Sequence, residues 1–147
     1  MRIIPAMGEP PATRADVDYF LAAPRIMRLG VTESDGTPLV HPVWYTWEHD
    51  QFLLHLGTTS RKRQAIDAQP VVYFTIDDAG SMVGVRGKAT ATIDPDRTRL
   101  GAVVQAQCDR YTRPKESETY RLLFGLLETG GLVLAALTPH YLATWGL

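Results

Sequence analysis

Thr58-Thr59-Ser60-Arg61-Lys62-Arg63 places three consecutive cations at the opening of a predicted helix. That is the end where positive charge is least favourable, each cation opposing the helix dipole by ~0.3–1 kcal/mol when no anion is near. The hydroxyl residues suit an N-cap, Ala65, Ile66 and Ala68 continue a helix-forming run, and Gln69-Pro70 stops it. A bound anion reverses the sign. Free N–H groups, hydroxyls and cationic side chains converging at a helix start are what a phosphate requires. A solvated basic turn whose side chains point into water has the same pattern, so charge alone leaves both readings open.

Pro42 is the second chemical feature. It stands within Leu39–Trp47, a run that otherwise reads as a strand, and its missing N–H predicts a sheet edge or a bulge there. Trp44 and Tyr45 follow it, either as contacts for a flat ligand or as ordinary strand aromatics, one inward and one outward. Other constellations are weaker. His41, His49, His55 and His140 are too scattered for a local metal motif, and no metal site is expected. His55, in a predicted strand, reads as a core or cofactor-rim residue. Gly84-Val85-Arg86-Gly87 lacks the spacing of a phosphate loop. No catalytic triad follows from spacing, because a triad is a spatial arrangement.

The elements that must position these residues are legible in the periodicity. Thr13-Arg14-Ala15-Asp16 is close to a capping box and starts a helix through Val17, Phe20 and Leu21, ending before Pro24. A meander follows: Arg28–Thr32, a turn at Ser34-Asp35-Gly36, Leu39–Trp47, a turn at His49-Asp50, and Phe52–Leu56. After the basic helix come strands Val71–Ile76 and Met82–Ile93, joined by a turn at Asp77-Asp78-Ala79-Gly80. Helical spacing runs through Leu100, Val103 and Val104, and again through Tyr120, Leu123, Leu126 and Leu127, with a loop at Thr112-Arg113-Pro114-Lys115 between them. Two last strands are expected at Leu132–Leu137 and Tyr141–Trp145. Six or seven strands with short links predict a closed or partly closed antiparallel barrel.

At 147 residues and 45% hydrophobic, the chain is expected to be one domain, 1–147, with a substantial core. A net charge of −1 argues against nucleic-acid binding. The one cysteine, Cys108, excludes an internal disulfide and a Cys-based zinc quartet. The longest apolar run, Leu132–Leu137, is far shorter than the ~20 residues that span a bilayer, and Pro5 interrupts the apolar patch at Met1–Met7. A soluble, cytoplasmic protein is expected, with no membrane partner.

Gly36-Thr37-Pro38, His41-Pro42-Val43-Trp44-Tyr45, and Ser60-Arg61-Lys62 with Ile66, Pro70 and Val71 resemble, in order and spacing, the flavin-binding half of the pyridoxamine 5′-phosphate oxidase-like family. The match covers roughly residues 25 to 93, and Val85-Arg86-Gly87-Lys88-Ala89 resembles a later strand of that family. The resemblance implies a mainly β fold with flanking helices, an antiparallel split β-barrel of FMN-binding type. It implies a homodimer with the cofactor at the interface and a small-molecule substrate that the sequence does not identify. Carried over residue by residue, Pro42, Val43, Trp44 and Tyr45 become contacts for the isoalloxazine ring, while Thr58, Thr59, Ser60, Arg61 and Lys62 receive the phosphate. His41 occupies a place where the family's true oxidases carry a phosphate-facing arginine. The chain also ends at Leu147, without the arginine-bearing segment that grips the pyridoxal phosphate in those oxidases. The expected activity is therefore FMN-dependent oxidoreduction other than pyridoxamine-phosphate oxidation. Reduction with the deazaflavin F420, and a flavin or haem carrier without turnover, are the alternatives. No catalytic residue is assigned.

Overall fold

The structure, a computed structural model, describes residues 1–112 and 117–147. Among these residues are eight strands and four helices in the order β1 (Arg2–Pro5), α1 (Arg14–Ala22), β2 (Met27–Thr32), β3 (Pro38–Val43), β4 (Thr46–Glu48), β5 (Gln51–Gly57), α2 (Arg61–Ala68), β6 (Val71–Asp78), β7 (Val83–Asp94), α3 (Arg97–Tyr111), α4 (Glu118–Thr129) and β8 (Leu132–Trp145). The expected loop begins at Thr112, which caps α3; Arg113, Pro114 and Lys115 lie outside the described residues.

Local sequence explains most of these elements. α1 begins with the capping box, Thr13 Oγ1 accepting from the Asp16 N–H at 3.2 Å and Asp16 accepting from the Thr13 N–H at 2.9 Å. It buries Val17, Phe20 and Leu21, one helical stripe. In β2 the alternation buries Met27, Leu29 and Val31. The β4–β5 hairpin turns through His49 and Asp50, both at positive φ (48° and 63°), as a two-residue turn demands.

The sheet runs β3-β2-β6-β7-β8-β5-β4 and is antiparallel, except that β1 pairs in parallel with the outer half of β8. It curls into a half-barrel with the four helices flanking it. β3 and β4 form opposite ends of that order, yet only Trp44 and Tyr45 separate them in the chain. The two ends of the sheet are therefore no more than about 11 Å apart at this crossing, the reach of three Cα steps. The interior holds a core in which Phe52 touches three other rings, Tyr45 at 5.5 Å, Phe74 at 4.8 Å and Trp47 at 4.5 Å between centroids. A second core lies on the opposite face of β5 and β8, where α3 contributes Leu100, Val103, Val104 and Cys108.

Three expectations need correction. Leu39–Trp47 is two strands, because the chain leaves β2 at one edge and joins β5 at the other. The two final strands are one, β8: Pro139 fits inside it at a bulge, the register with β7 shifting between Lys88 and Ala89 so that His140 is skipped. The strand count is eight among the described residues, since the Arg2–Pro5 patch pairs with β8. The longest described helix is 15 residues, and none is long and apolar enough to cross a membrane.

Candidate functional site

A cleft of about 330 Å³ opens at the barrel seam. Pro42 and Val43 at the end of β3, Trp44 of the crossing, and His55, Leu56 and Gly57 of β5 form one wall. Lys62 of α2, Thr119, Leu123 and Leu126 of α4, and Leu132 of β8 form the remainder. The volume lies within the range of ligand sites, and the lining has their character, mostly apolar with a few polar groups. Pro42 is on the edge its missing N–H predicted, for β3 pairs with β2 alone.

The two crossing aromatics divide as strand alternation would divide them. Tyr45 points into the interior with no exposed surface, its hydroxyl donating to the Leu21 carbonyl at 3.2 Å, and burial pushes that hydroxyl's pKa well up. Trp44 stays outside. It stacks on Tyr111 at 5.1 Å and 7° between planes and meets His55 edge-on at 5.8 Å.

The basic run also divides. Arg61 turns away from the cleft and grips Glu33 with N···O distances of 2.7–2.9 Å, lining a separate small pocket with Ser34 and Gln64. Arg63 pairs with Asp67 one turn along at 2.9 Å. Lys62 has no ion pair or hydrogen bond among the described residues, although it is half-buried, and burial lowers its ammonium pKa. Ser60 is the N-cap, its Oγ accepting from the Arg63 N–H at 3.2 Å. Thr58 directs its hydroxyl to the Gly130 carbonyl at 2.7 Å, and Thr59 is exposed with its carbonyl held by Gln64. His41, on β3 opposite Leu29, does not line the cleft; burial, then the charges of Lys62 and Arg61, lower its pKa. Of the sequence candidates, the cleft thus gathers Pro42, Val43, Trp44 and Lys62, together with His55, read from sequence as a core or cofactor-rim residue.

Gln107 escaped sequence reading. It is fully buried on α3, where its Nε2 donates to the Leu53 carbonyl at 2.9 Å and its Oε1 lies 2.6 Å from His55 Nδ1. A polar residue in the stripe Leu100, Val103, Val104, Gln107, Cys108 was the available signal, since an amide there must find partners. The cleft residues of α4 left a fainter one, the apolar spacing of Leu123 and Leu126.

A family model described as pyridoxamine 5′-phosphate oxidase matches residues 13–128. No curated protein matches the chain. Among solved structures, a conserved hypothetical protein of Mycobacterium tuberculosis superposes with a TM-score of 0.77 at 21% identity, over 91% of this chain and 84% of that one. An F420 reductase gives 0.69 at 20% identity, covering 86% and 94%. The haem-storage protein HutZ of Vibrio cholerae gives 0.66 at 14%, covering 95% and 92%. At these identities the likeness is one of fold.

Proposed function

The chain belongs to the pyridoxamine 5′-phosphate oxidase family, and from that premise we propose that its cleft holds FMN for two-electron redox chemistry on a small molecule. The observation that carries this reading is Lys62, a half-buried cation without a counter-charge among the described residues, at the start of α2 and beside a wall of Trp44, Leu123, Leu126 and Leu132. An uncompensated, partly desolvated ammonium is unfavourable alone and favourable beside a phosphate. The wall suits a flat ring. When bound, the flavin supplies the hydride-accepting centre. The chain's part is to hold the phosphate with Lys62 and the first N–H groups of α2, to place the ring against Pro42, Val43 and Trp44, and to keep water from its apolar side. Tyr45 takes part through its backbone, its side chain being committed to the core.

F420 offers a phosphorylated ribityl chain and a similar tricycle, and a structural relative is an F420 reductase. Haem carriage is favoured by a different observation, the Nε2 of His55 in the cleft, which has no partner among the described residues. The visible spectrum of the purified protein separates the three, and a flavin spectrum is the expected result. The bound flavin should bleach with dithionite and recover in air, but not bleach with pyridoxamine 5′-phosphate. Arg61 is committed to Glu33 and His41 is weakly basic, so Lys62 is the one cation lining the cleft among the described residues. A second phosphate dianion has no further cation to pair with among those described residues. Rapid bleaching by that substrate, or a haem or F420 spectrum, would reject this reading.

We propose further that two copies associate through the outer face of β3, β2 and β6. Val40, Gly30 and Tyr73 lie in register across these strands, with Val40 64% and Tyr73 55% exposed. Glycine between two large side chains makes this row a shallow depression, and exposed apolar strand surface favours a partner. Sedimentation should give a dimer that Tyr73→Glu converts to monomer. A monomeric wild type retaining its cofactor would instead place the complete site within one barrel.

A further inference from the structure

His55 has a fixed tautomer. Gln107 Nε2 donates to the Leu53 carbonyl, which can only accept, and lies 3.2 Å from Thr46 Oγ1. That contact orients the amide and turns its oxygen to His55 Nδ1 at 2.6 Å. Nδ1 therefore carries the hydrogen, and in the neutral ring Nε2 carries the lone pair. Nε2 makes no hydrogen bond within the described residues and is absent from their fully buried, unpartnered atoms, so it remains accessible in the cleft that His55 lines. Edge-on packing against Trp44 holds the ring. Burial, reinforced by the charge of Lys62 and opposed by the Gln107 bond, lowers the His55 pKa and keeps the imidazole neutral near pH 7.

We propose that His55 Nε2 is a specificity acceptor that takes the ring N–H of a planar heterocycle seated against Trp44, with Gln107 as the residue that positions it. The proposal rests on the flavin reading above. An oxidised isoalloxazine has one ring N–H, at N3, and an acceptor beside apolar walls is where such a donor is best paired. An acceptor that a bound ligand covers without pairing is unfavourable, so a ligand lacking that hydrogen is selected against.

Two measurements test it. Nitrogen NMR of ligand-free protein should show His55 protonated at Nδ1, and in Gln107→Leu a mixture of tautomers; protonation at Nε2 in wild type would overturn the proposal. Binding is then compared for FMN and N3-methyl-FMN. Wild type should prefer FMN by roughly tenfold or more, the worth of one good hydrogen bond. His55→Ala should lose that preference, and His55→Gln, which restores an amide acceptor, should recover part of it. If any variant fails to fold, the wild-type comparison still decides. Equal binding of both flavins by wild type would overturn the acceptor role while leaving the flavin site intact. Failure to bind either flavin would overturn the flavin reading and the proposal together. Haem binding with a Soret band that His55→Ala abolishes would make Nε2 an iron ligand and equally overturn it.

Discussion

Lys62→Ala should bind FMN about ten- to a hundredfold more weakly than wild type, whereas Arg61→Ala should change affinity less than about threefold. The larger loss corresponds to one charge-assisted phosphate contact of ~1.5–3 kcal/mol. The contrast between neighbouring cations is the sharper part of the prediction. Lys62 lines the cleft without a counter-charge among the described residues, while Arg61 is held by both Glu33 oxygens and lines another pocket. Titration of apo-protein with FMN, followed by flavin fluorescence, measures both constants. Equal weakening by the two substitutions would mean that Arg61 leaves Glu33 for the ligand, and an unaffected Lys62→Ala protein would move the phosphate elsewhere.

Phe52→Ala should reduce the unfolding free energy by about 3–5 kcal/mol, the usual cost of deleting a buried phenyl ring. The ring has no exposed surface and touches Tyr45, Trp47 and Phe74. Those partners come from the crossing, β4 and β6, so collapse around the cavity would have to move the seam of the barrel. Such sites relax poorly, which puts the cost toward the upper end of the range. Tyr19→Ala is the comparison, an aromatic of similar size that is 85% exposed on α1 and should change stability by no more than about 0.5 kcal/mol. Urea denaturation with a shared slope measures both. A loss of less than about 1.5 kcal/mol in Phe52→Ala would show that the interior repacks and that Phe52 is not its centre. FMN binding should persist in the folded fraction, since Phe52 faces the interior while His55 and Trp44 face the cleft.

What the sequence by itself determined is what short-range physics controls. Thr13 and Asp16, three residues apart, close the cap of α1; Ser60 caps α2; His49-Asp50 turns the hairpin; Pro42, lacking an N–H, is confined to an edge strand. The order Gly36-Thr37-Pro38, His41–Tyr45, Ser60–Lys62 was enough to identify the family. Tertiary structure decided which of the similar residues work together. Arg61 and Lys62 are adjacent and chemically alike, yet Glu33, 28 residues before Arg61, draws one away and leaves the other in the cleft. The break at Trp44-Tyr45 is invisible in strand propensity, because it arises where two edges of one curled sheet meet. His55 gains its fixed tautomer from Gln107, 52 residues later, through a contact created only when α3 packs on the outer face of β5. Caps, turns and edges are set by neighbours a few residues apart, whereas counter-charges and tautomers depend on which distant side chains the sheet order brings within hydrogen-bonding distance.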